Sequence, residues 1–303
     1  MIRSTFIAIA ITFLCGTPFS PSYAQEQEQP KAQITLTSTE PIELEQHDKT
    51  KLFIISAKIN GKDCRLLVDT GASHTTIDSN FWDKEFPEIN KIPLQDLGDS
   101  NVTSQVHLAP VQNLDLKGIK IDNTFVAIVD LTALNTTHDN KIHGILGINH
   151  MGTLPVKFDF KNKNIKWLVK KALDEEKKEA IPYSNNSSGL YYIKAKVDDQ
   201  ELNFLLDSGA SKSHFPNLQE FANTDKKPFE ATFQDVNGKD KQTTRLHYTK
   251  PIELILSPDF SLPDQELLIG ASPDEGILGI DCLQKITIIL DSASKKLYVQ
   301  HAK

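Results

Sequence analysis

Two five-residue stretches carry groups able to do chemistry together. Asp69-Thr70-Gly71-Ala72-Ser73 follows the apolar run Leu66-Leu67-Val68, and Asp207-Ser208-Gly209-Ala210-Ser211 follows Phe204-Leu205-Leu206. A carboxylate set straight after a buried strand is costly unless it is hydrogen-bonded or put to use. The glycine two residues on lets the backbone turn sharply and brings its N–H towards the acid. The Thr70 and Ser208 hydroxyls donate and accept at once, so they can tie neighbouring loops together, while Ser73 and Ser211 offer further donors close by. Two carboxyls in one site cannot both ionise comfortably. Such a pair keeps one proton over a wide pH range and can serve as base and acid together.

The elements around these acids occur twice. Residues 52–73 (LFIISAKINGKDCRLLVDTGAS) and 190–211 (LYYIKAKVDDQELNFLLDSGAS) align without a gap at an offset of 138, with nine identical positions. Farther on, His143-Gly144-Ile145-Leu146-Gly147-Ile148-Asn149 matches Glu275-Gly276-Ile277-Leu278-Gly279-Ile280-Asp281 at an offset of 132, which holds through Asp159 and Asp291. Two matched blocks in the same order mean a duplicated domain. Each copy reads as β: branched and aromatic runs at 52–59 and 191–197 lead into Asn60-Gly61 and Asp198-Asp199 turns. No long stretch outside the linker shows a 3.6-residue period. The expectation is an all-β chain with a targeting segment at 1–24 and a flexible leader at 25–40. Lobes follow at 41–169 and 189–303, joined by a solvated linker at 170–188 that carries the charge run Asp174-Glu175-Glu176-Lys177-Lys178-Glu179 and has room for a helical turn or two.

The paired Asp-Thr/Ser-Gly-Ala-Ser motifs, each followed by Gly-Ile-Leu-Gly, resemble those of the aspartic peptidases, and the compact lobes are most similar to the retropepsin-like branch. The resemblance spans nearly all of 52–169 and 190–299. Retropepsins build their site from two identical chains, whereas pepsin-like enzymes carry both lobes in one. This chain looks like the second arrangement made from lobes of the first kind. The resemblance implies two acid-protease-type β-barrel lobes related by a pseudo-twofold axis, with the active site in the cleft between them. It implies Asp69 and Asp207 as the catalytic pair, supported by Thr70, Gly71, Ser73, Ser208, Gly209 and Ser211. It also implies a polypeptide substrate attacked by water, with no metal and no other cofactor. Thr70 and Ser208 would interlock across the lobe boundary, and Ile145-Leu146-Gly147 and Ile277-Leu278-Gly279 would pack behind the acids. Hairpin lids close such clefts, and residues 96–103 and 235–242 are the candidates. His143 and Glu275 depart from an apolar approach to Gly-Ile-Leu-Gly, and a titrating neighbour there would move the pH optimum. The alternative reading is a peptide-binding protein that keeps the cleft without turnover; a two-carboxylate glycoside hydrolase is a third.

Composition narrows the partners. A formal charge of −7 argues against nucleic acid, which needs a basic footprint, and gives no pull towards anionic lipid. Arg3, the apolar stretch 6–14 and Ser22-Tyr23-Ala24 before Gln25 read as a cleavable export signal, too short to span a bilayer. Leu14 is too large to precede a lipidated Cys15. The expected destination is the periplasm or the medium, with no membrane contact after cleavage, and the duplication predicts a monomer whose halves mimic a dimer.

Cys64 and Cys282 then remain, at non-equivalent positions of the repeat, so a disulfide and two buried thiols are both open. His74, His107, His138, His143, His150, His214 and His247 lack metal-ligand spacing and read as surface or hydrogen-bonded residues. Asp159 and Asp291 read as turn residues, and Trp82 and Trp167 as core or rim aromatics. The triplets beginning at Asn101 and Asn135 fit glycosylation acceptors.

Overall fold

Alternation in the duplicated strands decides which side of each is buried. In Phe53–Ile59 and Tyr191–Val197 the apolar residues turn inward while Ser56, Lys58, Lys194 and Lys196 face water. The computed structural model describes residues 32–93, 106–138, 142–177, 179–233, 242–270 and 275–302. Its first large sheet runs in the order Gln33–Leu36, Ile119–Val129, Thr76–Asp78, Gly144–Leu146, Lys62–Val68, Phe53–Ile59, His107–Asp115. Pairing of His107–Asp115 with Ile119–Val129 closes this sheet into a barrel. The second sheet, in the order Phe260–Gln265, Ile252–Ser257, Tyr191–Val197, Gln200–Leu206, Glu275–Leu278, His214–Phe215, Leu268–Ile269, is open among the described residues. The fold is mostly β and bilobal.

The same three-strand crossing recurs in each lobe. Gly144–Leu146 lies parallel to the end of Lys62–Val68 and antiparallel to Thr76–Asp78. Glu275–Leu278 is likewise parallel to Gln200–Leu206 and antiparallel to His214–Phe215. The crossing is tight enough to require glycine: a Cβ on Gly144 would stand 2.4 Å from the Thr76 carbonyl oxygen, and one on Gly276 2.4 Å from the Phe204 ring.

A third sheet belongs to both halves. Its six strands run Glu179–Ile181, Lys296–His301, Ile286–Asp291, Val156–Asp159, Asn164–Trp167, Ile42–Glu43. At its centre the two halves meet antiparallel, with Val156 opposite Leu290, Lys157 opposite Ile289 and Phe158 opposite Ile288. Phe158 stacks on Phe160, which stacks in turn on Phe53, so apolar packing runs from this sheet into the first lobe. Trp82 and Trp167 are fully buried and belong to the core. Asp159 and Asp291 cap equivalent turns, accepting from Asn162 and from Ser294.

Two segments read as leader and linker are more ordered than their composition suggests. Gln33–Leu36, inside the expected leader, pairs in register with Ile119–Val129 at the edge of the first sheet. In the linker, Lys170–Glu176 is helical, and its Leu173 packs with Leu168, Ile289 and Tyr298. Glu176 on that helix meets Lys157 at 2.6 Å and Lys166 at 3.0 Å. Glu179–Ile181 then joins the shared sheet. Strands of three or four residues are too short to print a period, which is why composition alone reads them as loop. Residues 1–24 and 25–31 lie outside the described residues, as do the lid candidate 96–103 and residues 235–241 of the other, whose last residue Gln242 opens the strand Gln242–Leu246. Among the described residues no helix is long and apolar enough to cross a membrane.

Candidate active site

Each acid stands at the end of a buried strand because the strand beside it holds its backbone. The Asp69 N–H donates to the Leu146 carbonyl at 3.1 Å, and the Asp207 N–H to the Leu278 carbonyl at 3.0 Å. The chain then turns, and Gly71 N–H donates to Asp69 Oδ1 at 2.8 Å while Gly209 N–H donates to Asp207 Oδ1 at 2.9 Å. The two loops approach so closely that a Cβ on Gly71 would stand 2.6 Å from Asp207 Cγ, and one on Gly209 2.5 Å from Asp69 Cγ. Each glycine therefore makes room for the acid of the opposite lobe.

The hydroxyls lock this approach. Thr70 Oγ1 donates to the Leu206 carbonyl at 2.8 Å and accepts from Ser208 N–H at 3.0 Å. Ser208 Oγ donates to the Val68 carbonyl at 2.8 Å and accepts from Thr70 N–H at 3.0 Å. All four bonds cross the lobe boundary in buried surroundings, where an unmade bond costs the full desolvation of its group. The interlock expected from the sequence is present.

Asp69 is 2% exposed and Asp207 4%, and each carboxyl lies against the glycine of the opposite loop. Burial raises the pKa of Asp69, opposed by Asp207 and by the Gly71 N–H. Burial also raises that of Asp207, and the Asp69 charge pushes the same way. Both carboxyls thus sit above the ordinary carboxylate range, and the proton between them belongs to the pair.

Other candidates fall elsewhere. Ser73 shares a hydrogen bond with His74 Nδ1 at 2.9 Å. Ser211 is half-buried, and among the described residues no hydrogen bond ties either serine to a dyad carboxyl. His143 stacks on Phe81 at 4.3 Å and accepts from the Arg65 N–H at 3.3 Å, at the end of its strand remote from Leu146. Burial and the Arg65 charge lower its pKa. Asn135 is buried, with Nδ2 donating to Asp78 Oδ2 at 3.2 Å, so its triplet is structural; Asn101 lies outside the described residues. Cys64 and Cys282 are free, buried thiols whose pKa values burial pushes up to about 12 and about 11.

Four residues that hold the site had no role assigned from the sequence. Thr75 Oγ1 accepts from Gly147 N–H at 3.0 Å and donates to Asn149 Oδ1 at 3.3 Å. Ser213 Oγ accepts from Gly279 N–H at 2.9 Å and donates to Asp281 Oδ1 at 2.6 Å. These bonds fasten the acid loop to the strand that anchors it. The signal was available: a hydroxyl six residues after each Asp, and an amide or acid closing each Gly-Ile-Leu-Gly-Ile block.

Two β lobes bring their buried carboxyls face to face. Residues 55–150 match the family model described as aspartyl protease. The whole fold is similar to that of the basic 7S globulin from soybean, with a TM-score of 0.50 and 9% identity, covering 86% of this chain and 94% of that one. Conglutin gamma, a basic 7S globulin from lupine seeds, aligns with a TM-score of 0.48 and 10% identity, covering 90% of this chain and 95% of that one. The soybean likeness concerns the bilobal fold alone.

Proposed function

We propose that the protein is an aspartic endopeptidase that hydrolyses polypeptides through a water activated between Asp69 and Asp207. The observation that carries this reading is the close approach of two buried carboxyls supplied by different lobes, each set against the glycine of the opposite loop. The ionised member takes a proton from the water as the water oxygen attacks the peptide carbonyl carbon. The protonated member gives its proton to the carbonyl oxygen, neutralising the charge that develops there. The diol then collapses: the C–N bond breaks as one carboxyl protonates the leaving amine and the other takes the diol proton. The pair ends with one proton, as it began, and no covalent enzyme intermediate forms.

The chain supplies both halves of the site, so the proposed active species is a monomer, with specific activity unchanged on dilution. Arg3, the apolar stretch and Ser22-Tyr23-Ala24 support export and a mature start at Gln25, which N-terminal sequencing of the exported protein tests. The central experiment is incubation of the mature protein with a mixed peptide library between about pH 3 and about pH 7, a range that brackets ordinary and raised carboxylate titrations. Cleavage that disappears in Asp69→Asn and Asp207→Asn supports the peptidase. Saturable peptide binding without cleavage would replace it with the peptide-holding alternative.

A further inference from the structure

A buried histidine that the proposed reaction does not use stands behind the Asp69 loop. The one-turn helix Ile148–Met151 holds that loop: Ile148 N–H donates to the Ala72 carbonyl at 2.9 Å and Asn149 N–H to the Ser73 carbonyl at 3.3 Å. The Thr75 N–H returns a bond to Asn149 Oδ1 at 2.9 Å. His150, the third residue of this helix, bonds through Nε2 to Thr124 Oγ1 at 2.7 Å, on the strand Ile119–Val129. Its imidazole therefore links the helix behind the acid loop to a strand of the barrel.

The surroundings suit a neutral ring. His150 is 3% exposed, and among the described residues its Nδ1 has no hydrogen-bond partner. A neutral imidazole carries one N–H, whereas a second proton puts an N–H on both nitrogens. The Nδ1–H then has nothing to meet and the buried charge no counter-ion, which is the costly case. Neighbouring elements offer no relief. Thr124 is uncharged, as is Trp167, which donates to the Met151 carbonyl from the strand Asn164–Trp167. The titratable group that acts on His150 among the described residues is His74 of the acid loop, a second potential cation. Burial pushes the His150 imidazole down to about 4, and His74 acts in the same direction.

The second copy is built differently. At the offset of 132 the counterpart of His150 is Cys282, a buried thiol that burial pushes up to about 11 and that carries no charge in acid. His214, also buried and lowered to about 4, has the Asp281 charge to favour its protonated form. We propose that His150 is a positioning residue for Asp69: neutral, it clamps the helix that holds the acid loop, and on gaining a proton it leaves Thr124 and loosens that loop. The first lobe thus sets the acid limit of the site. This goes beyond the peptidase reading and rests on it for the kinetic readout alone.

NMR titration of the mature parent protein from about pH 7 to about pH 3, across the ordinary histidine and carboxylate range, is the first test. The backbone amides of residues 72–75 are expected to shift together with the His150 imidazole, and to lose that inflection in His150→Gln. Thermal unfolding is the second. An unfolded histidine takes up a proton that the buried one refuses, so the Tm of His150→Gln relative to the parent should rise as pH falls from about 6.5 to about 4. A merely structural role would leave a constant offset. In the third, log kcat/KM below about pH 4 should fall about one unit per pH unit more steeply in the parent than in the variant. His150→Cys, which installs the residue of the second copy, should behave as His150→Gln does; if neither folds, the amide titration of the parent decides. A parent that cleaves no peptide at any pH removes the peptidase reading and leaves the first two tests standing. Amides at 72–75 that ignore the imidazole titration, a Tm difference constant with pH, or parallel acid limbs would overturn the proposal.

Discussion

Lys157 stands directly opposite Ile289 in the antiparallel pairing at the centre of the shared sheet, and Ile289 is the residue that duplicates Lys157 at the offset of 132. A residue paired with its own copy marks a local twofold axis. The flanking pairs obey the same relation, since Val156 faces Leu290 and Phe158 faces Ile288, each the copy of the other's partner. The reciprocal bonds of Thr70 and Ser208, 138 residues apart, form a second point on that axis. The dyad therefore sits where symmetry brings equivalent backbone together, and the asymmetry between the acids lies in what surrounds them.

Removing one dyad carboxyl should uncouple activity from stability. Asp207→Asn is expected to reduce peptide cleavage by at least about 10³-fold, the scale of losing a central catalytic group. The same variant should be more stable at neutral pH. Both folded-state pKa values are raised, so above about pH 4 the native state holds more protons than the unfolded chain. Stability then falls as pH rises through the folded-state titration, by about 1.4 kcal/mol per unit of raised pKa. Thermal unfolding at several pH values checks this: the Tm advantage of Asp207→Asn over the parent should grow with pH. A constant difference would mean the proton is not shared.

Gly71→Ala and Gly209→Ala should fail for a steric reason that involves the opposite lobe. Each new methyl would enter the space of a dyad carboxyl. Displacing either acid is expected to abolish cleavage, and overpacking of this kind costs about 1–3 kcal/mol. Peptide turnover and chemical denaturation of the two variants give the readout, with the Gly61→Ala variant, whose methyl would meet nothing within 4 Å, as a comparison for strain in a turn.

The interlock makes a graded prediction. Thr70→Val removes one acceptor and one donor, leaving Ser208 N–H and the Leu206 carbonyl without their partner. Two buried groups left unmet are expected to cost roughly 2–6 kcal/mol. Thr70→Ser keeps the hydroxyl and should recover most of that loss. Urea unfolding measures both; similar destabilisation by Val and Ser would point to lost packing instead of lost bonds.

The thiols should be chemically quiet. Their pKa values are raised by burial, which leaves almost no thiolate at pH 8, the nucleophilic form. Alkylation should therefore be slow in the native protein and complete for both thiols once it is unfolded without reductant. One disulfide recovered under those conditions would contradict the pairing state described for Cys64 and Cys282.

Much of this architecture was legible because the chain states it twice. The gapless repeat around Asp69 and Asp207 places the acids, their glycines and the interlocking hydroxyls without coordinates. What remained hidden depends on short or long-range contacts. Gln33–Leu36 is a strand because Ile119–Val129 offers it an edge, and nothing within its four residues says so. Ser73 turns to His74 because the imidazole is one residue away and the acid is already met by the Gly71 N–H. His143 precedes the key block in sequence yet stacks on Phe81 at the remote end of the strand. Sequence proximity measures distance along the backbone, and a strand carries its two ends apart.

Joining both copies in one polypeptide releases them from having to agree. His74 of the first copy corresponds to Lys212 of the second, and Asn149 to Asp281, whose carboxylate lies 3.8 Å from that lysine. A site built by two identical subunits would receive every substitution on both sides at once. Here a single codon change alters one flank and leaves its mirror image untouched, so left and right recognition can drift apart while the shared floor stays fixed.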